Sequence, residues 1–342
     1  MRIDPSDQIL DTGDAPASAS AAIGMPTVET RVQYVPTIFA GYADLMGFHR
    51  HLLDDVVRTE TLIGAIESNV RPGDTVIDLG AGTGILSLAA CRAGARKVYA
   101  LEHASIAGLA RELARVNGYG DRIEIIKQNA RGWHAPEPVD LLVSECYGMA
   151  GVGGTMIPLV AELARRCLRP GGKVIPRDVS VWLAPVESEA GHGYVNCFEK
   201  ARFGFDFRPA AMMARSNIYL TYFAQEELLA RPQSAACVEI ASATTGRPIR
   251  SNLHFEANRS GRLDGFAGWF ESELCEGVVL RTGPDTAPTI WQHCFFPLTH
   301  PRRVEAGETI DLAFAAVAGE SGLPMNFHWN DQSLLGSFPS AT

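Results

Sequence analysis

Apolar positions recur at helical spacing from Tyr34 to Ile66, through FAGYADLMGFHRHLLDDVVRTETLIGAI, and predict one or two amphipathic helices ahead of the first strand. The period then changes. RPGDTVIDLG reads as a turn running into a fully apolar strand, and AGTGILSLAACRAG as a glycine-rich turn followed by a helix that Gly94 closes. KVYALE predicts a second strand, ASIAGLARELARVNG a helix, RIEIIK a third strand and VDLLVSE a fourth. Strands alternating with helices pair in parallel through right-handed crossovers, so this half is expected to be an open α/β sheet with helices on both faces. Its ligand is expected at the carboxyl ends of the strands.

Past GGKVIPRD, at 171–178, short alternating segments replace this pattern: SVWLAPVE, CVEIASA, NLHFEA, GFAGWFESEL and TIDLAFAAVA, separated by turn residues. That is the pattern of antiparallel β structure, and a β barrel or sandwich is expected. HGYVNCFEKARFGFDFRPAAMMARS interrupts it as a short helical insertion with aromatic and methionine positions, which suits an assembly contact. Residues 1–30, rich in Ala, Ser, Pro and Asp, lack periodicity and read as a disordered tail. The expected units are therefore 31–176 and 177–342, with an arm at about 190–215.

Composition narrows the classes. At 342 residues the chain exceeds what one core usually absorbs, and 46% hydrophobic with 20% charged residues suits a folded protein. A formal net charge of -9 argues against a nucleic-acid partner. Glycine or aspartate breaks every apolar run short of a membrane span, and MRIDPSDQIL carries acids and no basic region followed by an apolar stretch, unlike a signal peptide, so a soluble, cytoplasmic protein is expected. The seven cysteines are scattered, with no CxxC pair and no ligand-like spacing to a histidine, so neither a disulfide framework nor a metal site is expected.

VIDLGAGTG sets Asp78, Gly80, Gly82 and Gly84 at the end of a buried strand, where glycines allow a tight turn and close approach of a ligand to backbone. Alternating glycines fit a pyrophosphate-binding GxGxxG turn poorly, so a ligand without a pyrophosphate is preferred. Glu102 closes the next strand, where a carboxylate can accept from both hydroxyls of a ribose.

VIDLGAGTGILSLAACRAGARKVYALE resembles the core motifs of class I S-adenosylmethionine-dependent methyltransferases, and its wording is closest to the protein arginine methyltransferase family. GFHRHLLDDVVRTETL resembles the helix that lies over the cofactor in that family, LLVSECYGM its acidic substrate loop, and PTIWQHCFFPL a later loop with a Thr-His-Trp signature. The likeness covers about residues 34–330. It implies a Rossmann-like domain followed by a β-barrel-like domain with a helical dimerisation arm, S-adenosyl-L-methionine as cofactor, and a homodimer through that arm. It also implies that Asp78, Gly80 and Gly82 line the methionine end of the cofactor, with Ala81 and Gly84 in the same cofactor-binding turn, that Glu102 holds its ribose and that Arg58 pairs with its carboxylate. Ala130 and Arg131 match positions beside the adenine; the family often has an acid there, and Arg131 offers only its backbone. His49 and Met156 match further neighbours of the cofactor, and Tyr42 an aromatic that covers the methyl group.

On the acceptor side the family grips a guanidinium between two glutamates. Glu145 is the first; nine residues on stands Gly154, in CYGMAGVGGTMI, which carries no acid before Glu162. A buried guanidinium facing one carboxylate leaves donors unpaired, at about 1 to 3 kcal/mol per group. Ile290 stands where the family has the histidine that supports the acidic loop. With Gly151, Gly153 and Gly154, these changes suggest a pocket re-purposed for another acceptor. Glu145 and Tyr42 are the candidate catalytic residues. Tyr147, Trp291 and His293 are candidates for contact with substrate, and His293 and His300 for alternative bases. The expected activity is N-methylation of a small molecule, amino-acid derivative or peptide. A protein arginine methyltransferase and a catalytically silent partner subunit are the alternatives, the last opposed by intact Gly80, Gly82, Glu102 and Arg58.

Overall fold

The computed structural model describes residues 46–145, 147–152, 156–244, 247–317 and 326–331. The tail at 1–30, Tyr42, Gly153 and Gly154 lie outside the described residues. The first elements are helices α1 (Met46–Asp54) and α2 (Val56–Asn69). They part at Asp55, whose φ of -75° and ψ of 87° leave the helical region while its carboxylate accepts from the Arg58 N–H. α2 buries Arg58, Thr59, Leu62, Ala65 and Ile66, a stripe at three- and four-residue spacing that faces the core.

Five strands follow: β1 (Thr75–Leu79), β2 (Lys97–Leu101), β3 (Ile123–Ile126), β4 (Val139–Ser144) and β5 (Leu168–Ile175). They pair in parallel in the order β3-β2-β1-β4-β5. Between them run α3 (Ile85–Ala93), α4 (Ala107–Val116) and α5 (Met156–Cys167). Every residue of β1 is buried, which is why its sequence is a run and not an alternation. Strand order reverses between β1 and β4, and such a switch point opens a crevice at the carboxyl ends of both strands.

The remainder is antiparallel. After β6 (Asp178–Val186) comes the insertion, with α6 (Glu189–Val195), a 3-10 turn at Asn196–Phe198 and α7 (Arg208–Arg215). Then follow β7 (Tyr219–Thr221), β8 (Gln233–Glu239), β9 (Ile249–Glu256), β10 (Gly261–Cys275), β11 (Val278–Arg281), β12 (His293–Val304), β13 (Thr309–Val317) and β14 (Asn326–Asp331). One sheet runs β7-β12-β10-β6-β8, with β11 on β10, and a smaller one runs β14-β13-β9. This is the expected combination of a parallel, Rossmann-like sheet with a barrel-like antiparallel part. The expectation of uniformly short strands fails at β10, which spans 15 residues. Its glycines are packing sites and not breaks: a Cβ on Gly268 would lie 2.6 Å from the Phe296 ring.

The insertion is rooted on β10. Ser188 caps α6, its backbone N–H donates to Asp264 Oδ2 at 2.8 Å, and Arg262 Nε donates to Oδ1 at 2.6 Å. At its tip Phe203 and Phe205 are 93% and 69% exposed. One apolar cluster runs without interruption from Leu62, Ile66 and Val76 to Phe270, Phe296 and Phe314, so both sheet systems share a core.

Candidate functional site

Strand β1 delivers its carboxyl end to a turn in which Gly80, Gly82 and Gly84 have φ of 75°, 55° and 82°. Side chains rarely adopt these angles, which accounts for the alternating glycines. Gly80 and Ala81 both donate their N–H groups to the Leu101 carbonyl, at 2.9 and 3.1 Å, and bind the turn to β2. Glu102, at the end of β2 and 7% exposed, completes the arrangement: Oε2 accepts from Gly82 N at 2.9 Å and Oε1 from Ala104 N at 2.8 Å. The buried His49 of α1 lies over the turn, with its Cε1 3.4 Å from where a Cβ on Gly82 would sit.

Asp78 is 1% exposed; Oδ2 accepts from Ser87 Oγ at 2.6 Å, whereas Oδ1 has no hydrogen-bond partner among the described residues. Burial pushes its pKa up to about 6, against the pull of the Ser87 bonds. A buried carboxylate oxygen left unmatched beside a backbone cradle is an acceptor for a ligand that carries hydrogen-bond donors and positive charge. Asp78, the glycine turn and Glu102 therefore fit the sulfonium nucleoside that the sequence implies.

Arg58 and Glu145 meet beneath this edge. Arg58 Nε donates to Glu145 Oε2 at 2.7 Å, its Nη2 donates to the same oxygen, and its Nη1 donates to the Leu52 carbonyl at 3.1 Å. Both side chains are buried. Burial lifts the Glu145 pKa above its ordinary value, opposed by the Arg58 guanidinium and by the Tyr147 N–H. Ala130 and Met156 both belong to the apolar cluster behind β1 and β4. The Ala130 carbonyl accepts from Arg166 Nη2 at 3.2 Å, and Arg131 is exposed, its N–H donating to Asn129 Oδ1 at 2.9 Å.

The segment after Glu145 folds back through a Gly148–Gly151 bridge. A Cβ on Gly151, whose φ is 81°, would lie 2.6 Å from Phe270 and 2.7 Å from Val179, so this position admits only glycine without rearrangement. The Tyr147 ring packs 4.6 Å from that of Phe270 and 5.5 Å from that of Trp291, and Trp291 meets Phe270 at 5.0 Å. The Tyr147 hydroxyl donates to Ser272 Oγ at 2.7 Å, and burial raises its pKa well above the usual tyrosine value.

His293 departs from the expectation of a base. Its ring is buried among Phe223, Tyr222 and Trp269, its Nδ1 accepts from Phe223 N at 2.9 Å, and the Thr282 and Gly283 carbonyls hold its other edge. Desolvation pushes its pKa down to about 4. Both ring nitrogens are committed to the fold, and the residue stays neutral. His300 is exposed on β12.

Asp55 and Arg166 carry no assignment from the sequence. Asp55 Oδ1 accepts from Arg58 N at 2.9 Å and Oδ2 from Ile290 N at 2.8 Å, so it touches both the cofactor-side helix and the acceptor-side loop. An aspartate just ahead of an apolar helical stripe is a legible N-cap; its second contact is not. Among the described residues no group of three His, Cys, Asp or Glu could hold a metal ion, and no helix is long and apolar enough to cross a membrane.

Two family models match the chain: ribosomal protein L11 methyltransferase over residues 58–176 and the arginine methyltransferase oligomerization subdomain over 178–326. Protein arginine N-methyltransferase 6 of Danio rerio is 31% identical over 268 residues, covering 74% of this chain and 76% of that protein. Protein arginine N-methyltransferase PRMT10 of Oryza sativa subsp. japonica is 29% identical over 344 residues, covering 90% of each. Among solved structures, the Trypanosoma brucei PRMT1 enzyme-prozyme heterotetrameric complex with AdoHcy superposes with a TM-score of 0.75 at 22% identity, over 84% of this chain and 98% of that one. The Arabidopsis thaliana protein arginine methyltransferase 10 structure gives 0.72 at 23% identity, over 84% and 97%. At these identities the structures speak for the fold.

Proposed function

The chain belongs to the protein arginine N-methyltransferase family, and we propose that it methylates a guanidinium nitrogen of arginine in a peptide or protein. It is an S-adenosyl-L-methionine-dependent methyltransferase. The observation that carries the arginine reading is Glu145, a buried carboxylate at the end of β4, with Oε2 committed to Arg58 and Oε1 not engaged by it. That oxygen is suited to accept from an N–H of the acceptor guanidinium and to orient its nitrogen. The cofactor supplies an electrophilic methyl group on a sulfonium. Asp78, the Gly80–Gly84 turn and Glu102 would hold it, with Ala130, Arg131 and Met156 beside its adenine and His49 over the turn. Arg58, which the resemblance assigns to its carboxylate, is paired with Glu145 in this structure and would have to share its guanidinium between the two. Tyr147 and Trp291 would wall the acceptor side. For an in-line displacement, alignment of the reacting atoms supplies much of the rate, and Glu145 is the carboxylate placed to fix the acceptor nitrogen.

A second reading, N-methylation of a small molecule or amino-acid derivative, is favoured by Gly154 and Ile290, which stand where the family pattern has an acid and a histidine. The matched segments meet near residue 177 and support units of 31–176 and 177–342. The arm at 190–215 supports a homodimer, its exposed Phe203 and Phe205 meeting a second copy.

Labelled S-adenosylmethionine given to the full chain with a glycine- and arginine-rich peptide, with free amino acids, and with a small-molecule extract separates these readings. Methylarginine in the peptide hydrolysate, lost in Glu145→Gln, is the expected result. Label confined to a small molecule overturns the peptide reading in favour of the second.

A further inference from the structure

We propose that Arg131 sets the base selectivity of the nucleoside site, and that the chain takes a 6-oxopurine nucleoside, with hypoxanthine in place of adenine, as readily as the adenine form. The inference rests on the methyltransferase reading, because it concerns the base of that cofactor. Strand order places the base. The parallel sheet runs β3-β2-β1-β4, with the glycine turn at the end of β1, Glu102 at the end of β2 and Glu145 at the end of β4. β2 and β3 pair Leu101 with Ile126, and Glu102 N donates to the Ile126 carbonyl at 3.1 Å, so the two strands end together. A nucleoside lying along this edge, with its methionine end over β1 and its ribose at β2, extends its base toward the end of β3 and the loop at 127–133.

That loop has already used its acceptors. The Ala130 carbonyl takes the Trp133 N–H at 3.1 Å and Arg166 Nη2 at 3.2 Å, which occupies both of its lone pairs. Asn129 Oδ1 takes the Arg131 N–H at 2.9 Å, and the Gly132 carbonyl takes His134 Nδ1 at 3.0 Å. Glu162, the acid nearest the Arg166 brace, is itself held by Arg166 Nη1 at 2.6 Å. The 6-amino group of adenine is a donor and meets acceptors that are engaged. The backbone contact expected of Arg131 is spent as well, since its N–H serves Asn129. What the loop presents instead is the Arg131 guanidinium, exposed and with no hydrogen-bond or ion-pair partner among the described residues. A guanidinium offers only N–H donors. It matches the adjacent O6 and N7 acceptors of an oxopurine, as arginine does when it reads guanine, whereas adenine sets a donor where that oxygen would be.

Isothermal titration calorimetry on the full chain compares S-adenosyl-L-homocysteine with S-inosyl-L-homocysteine, which differ only in the base. The wild-type Kd for the inosyl compound is expected to lie within about threefold of the Kd for the adenosyl compound, or below it. Arg131→Glu sets an acceptor where the donors were and should shift the ratio of the two Kd values toward adenine by about tenfold. Arg131→Gln, which carries an acceptor and a donor, should fall between. The side chain is exposed, so both variants should keep the wild-type melting profile. An adenosyl compound bound more than about threefold tighter than the inosyl one by the wild type would overturn the proposal and leave the cofactor reading standing. So would a ratio that Arg131→Glu leaves unmoved. A chain that binds neither compound would sink both.

Discussion

Arg58 Nε donates to Glu145 Oε2 at 2.7 Å, joining side chains 87 residues apart that are 6% and 8% exposed. A buried pair of this kind is unforgiving of single deletions, because the surviving charge keeps its desolvation cost without its partner. Arg58→Ala is expected to lower the unfolding free energy by about 3 to 5 kcal/mol in urea titration. Glu145→Gln should cost less, and the paired Arg58→Met, Glu145→Leu variant should recover much of the loss. A double variant no more stable than Arg58→Ala would mean that the pair is not the source of the cost.

The free chain is expected to gain stability from Asp78→Asn. The folded pKa of Asp78, about 6 against an ordinary 3.8, means that the folded form binds more protons than the unfolded one between about pH 4 and 6. Raising the pH through that window ionises a buried carboxyl and destabilises the fold. At pH 7.5 the asparagine variant should be more stable by on the order of 3 kcal/mol, and by under about 1 kcal/mol at pH 4. Calorimetry on nucleoside-free protein checks this, together with weaker S-adenosylmethionine binding by the variant.

His293 works in the opposite direction. Its folded pKa of about 4 lies below the ordinary 6.5, so the unfolded chain binds more protons between those values. Its contribution is fully present above about pH 6.5 and is lost as pH falls toward 4, by about 3 kcal/mol. His293→Gln should lower stability at pH 7.5 through lost packing yet flatten the fall in Tm from pH 6.5 to 4.5. An undiminished slope would place the acid sensitivity elsewhere.

Phe203 and Phe205 are the most exposed aromatic side chains among the described residues. Under the proposed homodimer, the wild-type chain should scatter light as a pair, and replacing both with serine should leave the melting profile of the core intact while giving single chains. A dimer that persists would move the contact off the arm.

How much of this was legible depended on chain separation. β1, its turn and α3 could be read from VIDLGAGTGILSLAACRAG, because a buried run, left-handed glycines and a helix stop are all local. Glu102 could be placed by its register one strand later. The full length of β10 could not: GFAGWFESEL gives residues 265–274, whereas the strand begins four residues earlier, at Gly261. Nor could the structural role of His293: whether a histidine is a base or a core residue depends on what surrounds it, here aromatics from 219–223 and β10. The link from Asp55 to Ile290 spans 235 residues and leaves no spacing to detect.

The Tyr147 hydroxyl passes a hydrogen bond to Ser272, which passes one to the Asp178 carbonyl, and apolar side chains from both sheets surround this chain of donors. Severing the polypeptide at 176–177 would therefore not liberate two autonomous proteins. The leading fragment would carry an oily seam and an orphaned phenol, the trailing one a stripped barrel wall, and neither would stay dispersed alone. Expressed together, the halves have the means to find each other and restore the enzyme by complementation.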